Sequence, residues 1–422
     1  MPTAHTRPVA PAAPWAAPLF TFGVTGTNGK TSTCRLLASA LRHAQSLGPV
    51  IEITTLGVRL DDEPLPRGKR FADFLDAMRR AADRGARYAV LEATSHGLAR
   101  GYARSWRFDL GVFTNLSPDH LSTHGSFEHY LAAKAQLFTH LGPGCSAVLN
   151  AADAHALFLD QAMPADIQRR WFYAPSRGEE LRASDLAAAS ITLTASGTQI
   201  TLTPSPYAAA LGGVLQTQLI GEVFAENALA AALAALCAGL PGPAVAAGIA
   251  ACAPVPGRFE VIDHGPGRPL VAVDYAHTAD ALTHTCRSAR LLAGPRGRVI
   301  VVFGAGGGAT PSKRGPMGEA VGRAADLALI TDDNARDEDP SQIARALAQG
   351  VQQGARAHYI IEHDRRSAIA AAIAQASASD VVIIAGKGHE QGQTIAGRKL
   401  PFCDRETARS CLGLSGSTAS DL

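Results

Sequence analysis

A glycine-rich turn between a predicted strand and a predicted helix narrows the possible folds of this chain more than any other stretch. It reads GVTGTNGKTSTCRLLASAL and runs from Gly23 to Leu41. Such a turn leaves backbone N–H groups free to point at phosphate oxygens, and the following helix adds its positive dipole end. Lys30 is placed to reach the β- and γ-phosphates of a nucleotide, and the hydroxyl of Thr31 to hold Mg²⁺. The strict P-loop pattern fails at Val24, where it requires glycine, so an ordinary strand-to-helix turn remains the alternative.

The rest of the sequence alternates short apolar runs with helical stretches. Strands are predicted at LFTFGVTG, RYAVLEATS and FDLGVFTNLS, and a helix at SFEHYLAAKAQLFTHL with Ser126 as its N-cap. Residues 190–203, SITLTASGTQITLT, have period two around Ser196 and Gly197 and predict a β-hairpin. The Pro- and Gly-rich stretch APVPGR marks a linker, after which a second series of strands and helices begins.

This order predicts an α/β protein with mostly parallel sheets, whose ligands lie at the carboxyl ends of the strands. We expect a flexible lead-in at residues 1–18, which lacks the apolar run of a signal peptide. A central P-loop-type ATPase domain with a parallel sheet and a small hairpin region is expected at 19–253. A Rossmann-like α/β C-terminal domain is expected at 254–422.

Composition excludes several classes of protein. The 422 residues are 46% hydrophobic and 18% charged, which is typical of a folded chain. A net charge of +2 gives no electrostatic reason to expect nucleic acid or an anionic membrane as a partner. The seven cysteines are odd in number and lack CxxC spacing, so they favour neither disulfides nor zinc and fit a reducing cytoplasm. No apolar run is long enough to predict a membrane span. The sequence does not indicate an oligomeric state.

Several short motifs resemble those of the Mur ligases, which make the peptide of bacterial cell-wall precursors. GVTGTNGKT resembles the ATP loop of that family. Further motifs resemble the MurE type and occur in its order over about residues 20–405: LEATSHGL, FTNLSPDHLSTHG, YLAAKAQLF, PGRFE, VDYAHTADAL, DDNARDEDP and AGKGHE. The resemblance implies an ATP-dependent amide ligase. In such a ligase ATP phosphorylates a carboxylate, and an amine then displaces phosphate from the acyl phosphate.

The resemblance also implies which residues bind ATP and magnesium. The implied nucleotide contacts are Gly26, Thr27, Asn28, Gly29, Lys30, Thr31, Ser32, Asn227, Arg258, Asp274 and His277. The implied ligands of two Mg²⁺ ions are Thr31, Glu92, His120 and Lys134, with Lys134 carbamylated. Lys30, Glu92, His120 and Lys134 are then the catalytic residues. From the residues alone, alternatives remain open. His120 could be a capping or core histidine, and Lys134 could be a solvated surface lysine. Asn227, Arg258, Asp274 and His277 could be turn or cap residues.

The partners implied are two small molecules, a carboxylate acceptor and an incoming amino acid. The positions that match their sites are Ser95, Arg100, Asn334, Arg336, Gly386 and Glu390. Arg336 and Glu390 match residues that grip the far end of diaminopimelate in relatives, and an Arg–carboxylate fork is a reason to need arginine. The alternative is that DDNARDEDP is only a charged loop with a helix cap.

The sequence also departs from the MurE pattern. The ATP loop follows Met1 so closely that we expect the N-terminal domain for the uridine nucleotide to be missing. PRGKRFADFL stands where the family has NTTG, and Arg100 and Tyr102 replace its Gln and Arg. Gly308 and Ala309 replace an Asp-Arg pair, and Ala335 replaces a proline. These changes predict an acceptor other than the ordinary nucleotide-linked muramoyl dipeptide, because lost polar contacts usually abolish recognition. The RGKR run with Arg100 either binds an anionic acceptor or is a solvated surface.

Three functions follow from these observations. The leading hypothesis is an ATP-dependent amide ligase of MurE type that acts on a non-standard carboxylate. The alternative is a genuine UDP-N-acetylmuramoyl-dipeptide ligase that adds diaminopimelate or another amino acid. The third is a non-catalytic ATP-binding partner, which the presence of Lys30, Glu92, His120 and Lys134 argues against.

Overall fold

The structure is a computed structural model that describes residues 13–44, 48–68, 70–118, 121–263, 265–308 and 311–414. Its helices are α1 (Lys30–His43), α2 (Phe71–Asp83), α3 (Ser95–Ala99), α4 (Tyr102–Ser105), α5 (Leu121–His124), α6 (Phe127–Thr139), α7 (Ala154–Ala162), α8 (Pro206–Ala210), α9 (Glu222–Cys237), α10 (Gly242–Ala251), α11 (Ala279–Ala293), α12 (Arg314–Ala324), α13 (Pro340–Gly354), α14 (Arg365–Ala374) and α15 (Asp404–Cys411).

The strands are β1 (Phe20–Thr25), β2 (Val50–Thr54), β3 (Gly57–Leu60), β4 (Glu63–Leu65), β5 (Tyr88–Glu92), β6 (Leu110–Phe113), β7 (Ser146–Asn150), β8 (Gln168–Tyr173), β9 (Leu186–Thr194), β10 (Gly197–Leu202), β11 (Val214–Thr217), β12 (Glu260–Asp263), β13 (Leu270–Asp274), β14 (Val299–Phe303), β15 (Leu327–Ile330), β16 (His358–Ile361), β17 (Val381–Ala385), β18 (Gly392–Ile395) and β19 (Arg398–Pro401).

These elements divide into two compact units. The first contains most of the described residues up to Cys252, and the second contains most of those from Ala253 onwards, together with the short segments 193–198 and 219–222. Each unit carries its own sheet with helices packed on it. The predicted α/β class is therefore confirmed.

In the first unit, β1 lies in the middle of a sheet ordered β11-β10-β9-β8-β7-β6-β1-β5-β2-β3-β4. β5 and β6 flank β1 and both run parallel to it. Apart from Phe20 and Tyr88 at the strand starts, the apolar residues of these three strands are buried, as expected of a parallel sheet covered on both faces. Parallel strands end at one edge, so the loop after Thr25, the end of β5 at Glu92 and the segment after Phe113 come together.

Small residues let the helices of the first unit pack closely. A side chain at Gly248 in α10 would meet Ala40 of α1 at 2.5 Å, and the Ser39 hydroxyl donates to the Gly248 carbonyl at 2.6 Å. Helix α9 is alanine-rich and buried along most of its length. Alanine is a strong helix former that allows close backbone approach, which explains the high alanine content.

The sequence prediction missed several strands, among them β7, β8 and β11 of the first sheet and β16 of the second. β2, β3 and β4 form an antiparallel extension of the first sheet, in which only β2 pairs with a parallel neighbour. These strands are short and interrupted by turns, so their pattern is weak. The predicted hairpin is confirmed, because β9 and β10 are adjacent in the sheet and joined across Ala195 and Ser196.

The second unit contains a sheet ordered β12-β13-β17-β14-β15-β16. All neighbours are parallel except β12, which pairs antiparallel with β13. The runs VIVVF and VVIIA of β14 and β17 are fully buried. Loops that follow β13, β14, β15 and β17 therefore meet at one edge. A separate antiparallel pair, β18 and β19, was not predicted.

The predicted lead-in is partly described. Residues 1–12 lie outside the described residues, whereas Pro14–Ala16 form a short 3-10 helix. Ala16 is buried, and the ring of Trp15 lies 5.9 Å from that of Trp106. Residues 14–16 are therefore packed on the first unit. Among the helices that the structure describes, none combines the length and apolar surface that a bilayer crossing requires.

Candidate functional site

The glycine-rich loop, residues 26–29, leads from β1 into α1 and admits no side chain at its two glycines. Gly26 has φ +151°, and a Cβ there would lie 1.9 Å from the Thr114 hydroxyl. Gly29 has φ +85°, caps α1, and a Cβ there would lie 2.4 Å from Oδ1 of Asn227. Both positions need glycine because of backbone angle and space. The predicted residue Asn227 thus lies against the loop, buried in α9.

Residues after β6 hold the loop in place. The backbone N–H of Asn28 donates to Oδ1 of Asn115 at 3.0 Å, and Nδ2 of Asn115 donates to the Asn28 carbonyl at 3.1 Å. The Thr114 hydroxyl donates to the same carbonyl at 2.7 Å. The Thr27 hydroxyl lies 3.1 Å from the hydroxyl of Tyr130 in α6. These hydrogen bonds tie the loop, which forms a cradle, to the segment after β6 and to α6.

Two lysines converge on one carbonyl of this cradle. Nζ of Lys30 donates to the carbonyls of Gly26 and Thr27 at 3.1 and 2.8 Å. Nζ of Lys134 donates to the Gly26 carbonyl at 2.6 Å and lies 4.5 Å from the centre of the Tyr130 ring. Lys134 is only 1% exposed, so the alternative of a solvated surface lysine is wrong. The two ammonium groups create a positive site at the loop, suited to an anion.

Glu92 lies on the other side of this positive site. Its Oε2 accepts from the Thr31 hydroxyl at 2.9 Å and from the N–H of Thr55 at 3.0 Å. Its Oε1 lies 4.0 Å from Nζ of Lys30, and the side chain is 4% exposed. Thr31 and Ser32 stand in the first turn of α1, where backbone N–H groups lack helical partners. Sequence reasoning missed Thr55, whose turn between β2 and β3 was not predicted.

The predicted magnesium ligands are only partly brought together. Thr31 and Glu92 are in contact, and their hydroxyl and carboxylate oxygens fit the preference of Mg²⁺ for hard ligands. Lys134 contacts the glycine-rich loop instead, and His120 lies outside the described residues. In the part of the chain that the structure describes, no three histidine, cysteine, aspartate or glutamate side chains form a metal-binding group.

The predicted acceptor residue Ser95 adjoins a basic cavity. Its hydroxyl lies 3.0 Å from Nε2 of His124. A cavity of about 630 Å³ is lined by Leu98, Ala99, Arg100, Gly101, Arg104, Ser105, His124, His129, Ala132, Ala133 and Gln136. Its lining has two arginines and two histidines and, among the described residues, no acidic one.

Arg100 and Arg104 supply the permanent positive charge of the cavity. Burial lowers the pKa of His124, and the charges of His96, Lys134 and His129 lower it further. Arg100 is exposed at the end of α3. Tyr102, which replaces the family's arginine, instead packs its ring 5.1 Å from that of Phe71. The cavity is therefore suited to an anionic group.

In the second unit, Arg258 and His277 flank one aromatic ring. The guanidinium of Arg258 lies 4.3 Å from the centre of the Tyr275 ring, and the ring of His277 lies 4.6 Å from it. The buried carboxylate of Asp274 accepts from the backbone N–H groups of Phe259 and Ala276 at 2.6 and 2.7 Å. Those two residues neighbour Arg258 and His277, so Asp274 positions both.

The environment of Asp274 also affects its ionisation. Burial raises the pKa of this carboxyl, although the Arg258 guanidinium and the two backbone N–H groups act against that effect. Nucleotide contact by Arg258, Asp274 and His277 stays a prediction.

The predicted amine-site residues lie together at the carboxyl edge of the second sheet. Nδ2 of Asn334 donates to Oε2 of Glu390 at 3.0 Å. Arg336 has φ +55°, its guanidinium donates to the Gly307 carbonyl, and its backbone N–H donates to the Thr394 carbonyl at 3.0 Å. Gly386 has φ +113°, and a Cβ there would lie 2.6 Å from Oδ2 of Asp333. The charged-loop alternative does not account for this clustering.

Two protein-family profiles match the chain, one in each of its two parts. The profile of the Mur ligase middle domain matches residues 24–235, and that of the Mur ligase glutamate ligase domain matches residues 257–388. The UDP-N-acetylmuramoyl-L-alanyl-D-glutamate–2,6-diaminopimelate ligases of Geobacillus kaustophilus and Streptomyces coelicolor are each 37% identical to the chain. The matches cover 93% of the chain and 79% and 76% of those proteins.

Solved structures give a consistent result. A structure of a UDP-N-acetylmuramoyl-L-alanyl-D-glutamate–2,6-diaminopimelate ligase is 34% identical, with a TM-score of 0.65, and the match covers 95% of this chain and 80% of that one. Mycobacterium tuberculosis folylpolyglutamate synthase, complexed with ADP, is 20% identical with a TM-score of 0.69, and the match covers 96% and 92% of the two chains. The second likeness concerns the fold alone.

Proposed function

Because this chain belongs to the Mur ligase family, we propose that it joins a carboxylate of a nucleotide-linked muramoyl dipeptide to an amine of 2,6-diaminopimelate or a similar diamino acid. Members of the family are ATP-dependent ligases that form ADP, and the chain is a ligase of this kind. The observation that carries the proposal is the placement of the Lys30 ammonium group on the carbonyls of the glycine-rich loop, beside Glu92. A positive cradle next to a carboxylate is what phosphoryl transfer from ATP to a carboxyl group requires.

The sequence predicts a non-standard acceptor, and that expectation is not supported. The relatives reported above are named for the muramoyl dipeptide, and they match 93% of the chain. The altered motif positions still leave basic side chains beside Ser95, because Arg104 and His129 line the same cavity as Arg100. The sequence analysis compared single motif positions with the family pattern and therefore overlooked Arg104 and His129, which line the cavity. We therefore adopt the alternative acceptor, with the basic cavity as the site for one of its anionic groups.

The proposed chemistry assigns a task to each part of the first unit. The N–H groups of the glycine-rich loop and Nζ of Lys30 bind the ATP phosphates. Mg²⁺ held by Thr31 and Glu92 would neutralise charge on the triphosphate. A carboxylate oxygen of the acceptor attacks the γ-phosphorus, and ADP leaves. The amine, having lost a proton, attacks the acyl carbon of the acyl phosphate, and phosphate leaves with the carboxylate oxygen.

We also propose that Lys134 acts as a carbamate. Its side chain is buried, and it shares the Gly26 carbonyl with Lys30. The carbamate offers oxygen ligands for a second Mg²⁺. Asn227, Arg258, Asp274 and His277 stay proposed nucleotide contacts.

ADP formation tests the proposed function. The wild-type protein is incubated with ATP, Mg²⁺, UDP-N-acetylmuramoyl-L-alanyl-D-glutamate and one amine from a panel of 2,6-diaminopimelate, lysine and glycine. We expect ADP to form only when acceptor and amine are both present, with 2,6-diaminopimelate the best amine, and we expect a product whose mass is that of the amide. ADP formation with other carboxylates but not with the muramoyl dipeptide would contradict the acceptor. ATP binding without amine-dependent ADP would favour a non-catalytic partner.

A further inference from the structure

Lys387 is a buried lysine that the sequence analysis did not single out. It lies in the turn after β17, and its side chain has no exposed surface. Its Nζ donates to Oδ1 of Asn334 at 3.2 Å and to Oε2 of Glu390 at 3.0 Å, and it lies 3.8 Å from Oδ1 of Asp333. A buried ammonium is costly unless opposite charges and hydrogen bonds compensate it. Here the carboxylates of Asp333 and Glu390 compensate the charge of Lys387.

Asn334 extends this contact to a third segment. Its Oδ1 accepts from Nζ of Lys387 and from the N–H of Thr394 at 2.9 Å, while its Nδ2 donates to Oε2 of Glu390. The loop after β15, the turn after β17 and strand β18 are thus joined through Lys387 and Asn334. The backbone N–H of Arg336 also bonds to Thr394, so the same strand fixes the start of the arginine side chain.

The two oxygens of Glu390 have different surroundings. Oε2 accepts hydrogen bonds from Nζ of Lys387 and from Nδ2 of Asn334. Among the residues that the structure describes, none donates a hydrogen bond to Oε1. The Glu390 side chain is 33% exposed. Lys387 and Asn334 therefore hold Oε2, and the partly exposed carboxylate keeps Oε1 available for a further partner. A carboxylate held in this way is suited to pair with an ammonium group.

We propose that Lys387 is a positioning residue for the incoming amino acid. It holds Glu390 so that Oε1 receives the ammonium group at the far end of a diamino acid. This inference rests on the proposed function. Lys387 is buried and acts through Glu390, so we expect its effect to fall on recognition of the amine and not on phosphoryl transfer.

Steady-state kinetics of Lys387→Gln test the proposal, with Lys399→Gln as the matched control on the exposed strand β19. We expect the KM for 2,6-diaminopimelate to rise about tenfold or more in Lys387→Gln, because a charged hydrogen bond to Glu390 is lost. The KM for ATP stays unchanged, and Lys387→Arg recovers part of the loss. Lys399→Gln behaves as wild type. An unchanged KM for the amine, or equal rises in the KM for ATP and for the amine, would overturn the proposal.

A second measurement separates this inference from the proposed function. If the wild-type protein forms no ADP with any amine, the proposed function has failed, and Lys387 is then judged by amide hydrogen exchange of residues 388–396. We expect faster exchange there in Lys387→Gln than in Lys399→Gln, with melting temperatures compared for both. Unchanged exchange in this segment would overturn the positioning role, whatever the kinetics.

Discussion

Lys30→Met is expected to reduce ADP formation by about 10²–10³-fold, because a preorganised positive charge at the transferring phosphate is lost. Nζ of Lys30 lies within the loop, bound to the carbonyls of Gly26 and Thr27, and 4.0 Å from Oε1 of Glu92. The methionine side chain has a similar length without charge, so the cradle keeps its shape. The measurement is the rate of ADP release at saturating acceptor and amine.

Lys399→Met is the control for this prediction, since Lys399 is exposed on β19. It is expected to retain the wild-type rate. Circular dichroism melting of both variants checks that the fold is intact. A rate for folded Lys30→Met within a few-fold of wild type would mean that the glycine-rich loop does not hold the reacting phosphate.

Lys134→Met is expected to cause a loss of similar size, about 10²–10³-fold. The proposed carbamate of Lys134 is negatively charged and an unmodified lysine is positively charged, and Lys134→Arg distinguishes these two forms. If the carbamate is the active form, Lys134→Arg is as inactive as Lys134→Met, because arginine keeps the positive charge and cannot react with CO₂. ADP release measured with and without added bicarbonate, together with melting curves, checks the prediction.

Isotope-labelled bicarbonate supplies an independent readout for Lys134. We expect a carbamate carbon signal by nuclear magnetic resonance in the wild-type protein that is missing in Lys134→Met. Substantial activity of Lys134→Arg without such a signal would leave the ammonium form as the functional one. That result would remove the proposed ligand of the second Mg²⁺ while leaving the glycine-rich loop as the phosphate site.

The parts of the fold predicted from sequence are those with strong local patterns. The strand, glycine-rich loop and helix around Gly26 are confirmed, as are the parallel sheets and the Ser126 cap, whose hydroxyl accepts from the His129 N–H at 3.2 Å. Strands β2 to β4, β7, β8, β11, β16 and the β18–β19 pair were missed. Most of them are short, and β16 and β19 are exposed along their length, so these two lack the buried apolar run that marks a central strand.

The sequence predicted those site residues that belong to a recognisable local motif. It did not predict contacts that depend on the packing of distant segments. Lys30, Thr31 and Glu92 follow from the loop and from a strand end. The burial of Lys134 does not, because nothing in an alanine-rich helix shows that its lysine turns toward Gly26. Lys387 was missed although it lies within AGKGHE, since its partners come from residues distant in the sequence.

The route of the carboxylate oxygen tests the central claim most directly. The acceptor is prepared with heavy oxygen in its reacting carboxylate, and the released phosphate is analysed by mass spectrometry after turnover with ATP and 2,6-diaminopimelate. If the carboxylate is activated as an acyl phosphate at the glycine-rich loop, phosphate released during amide formation carries a heavy oxygen atom. Amide formation accompanied by unlabelled phosphate would contradict the account.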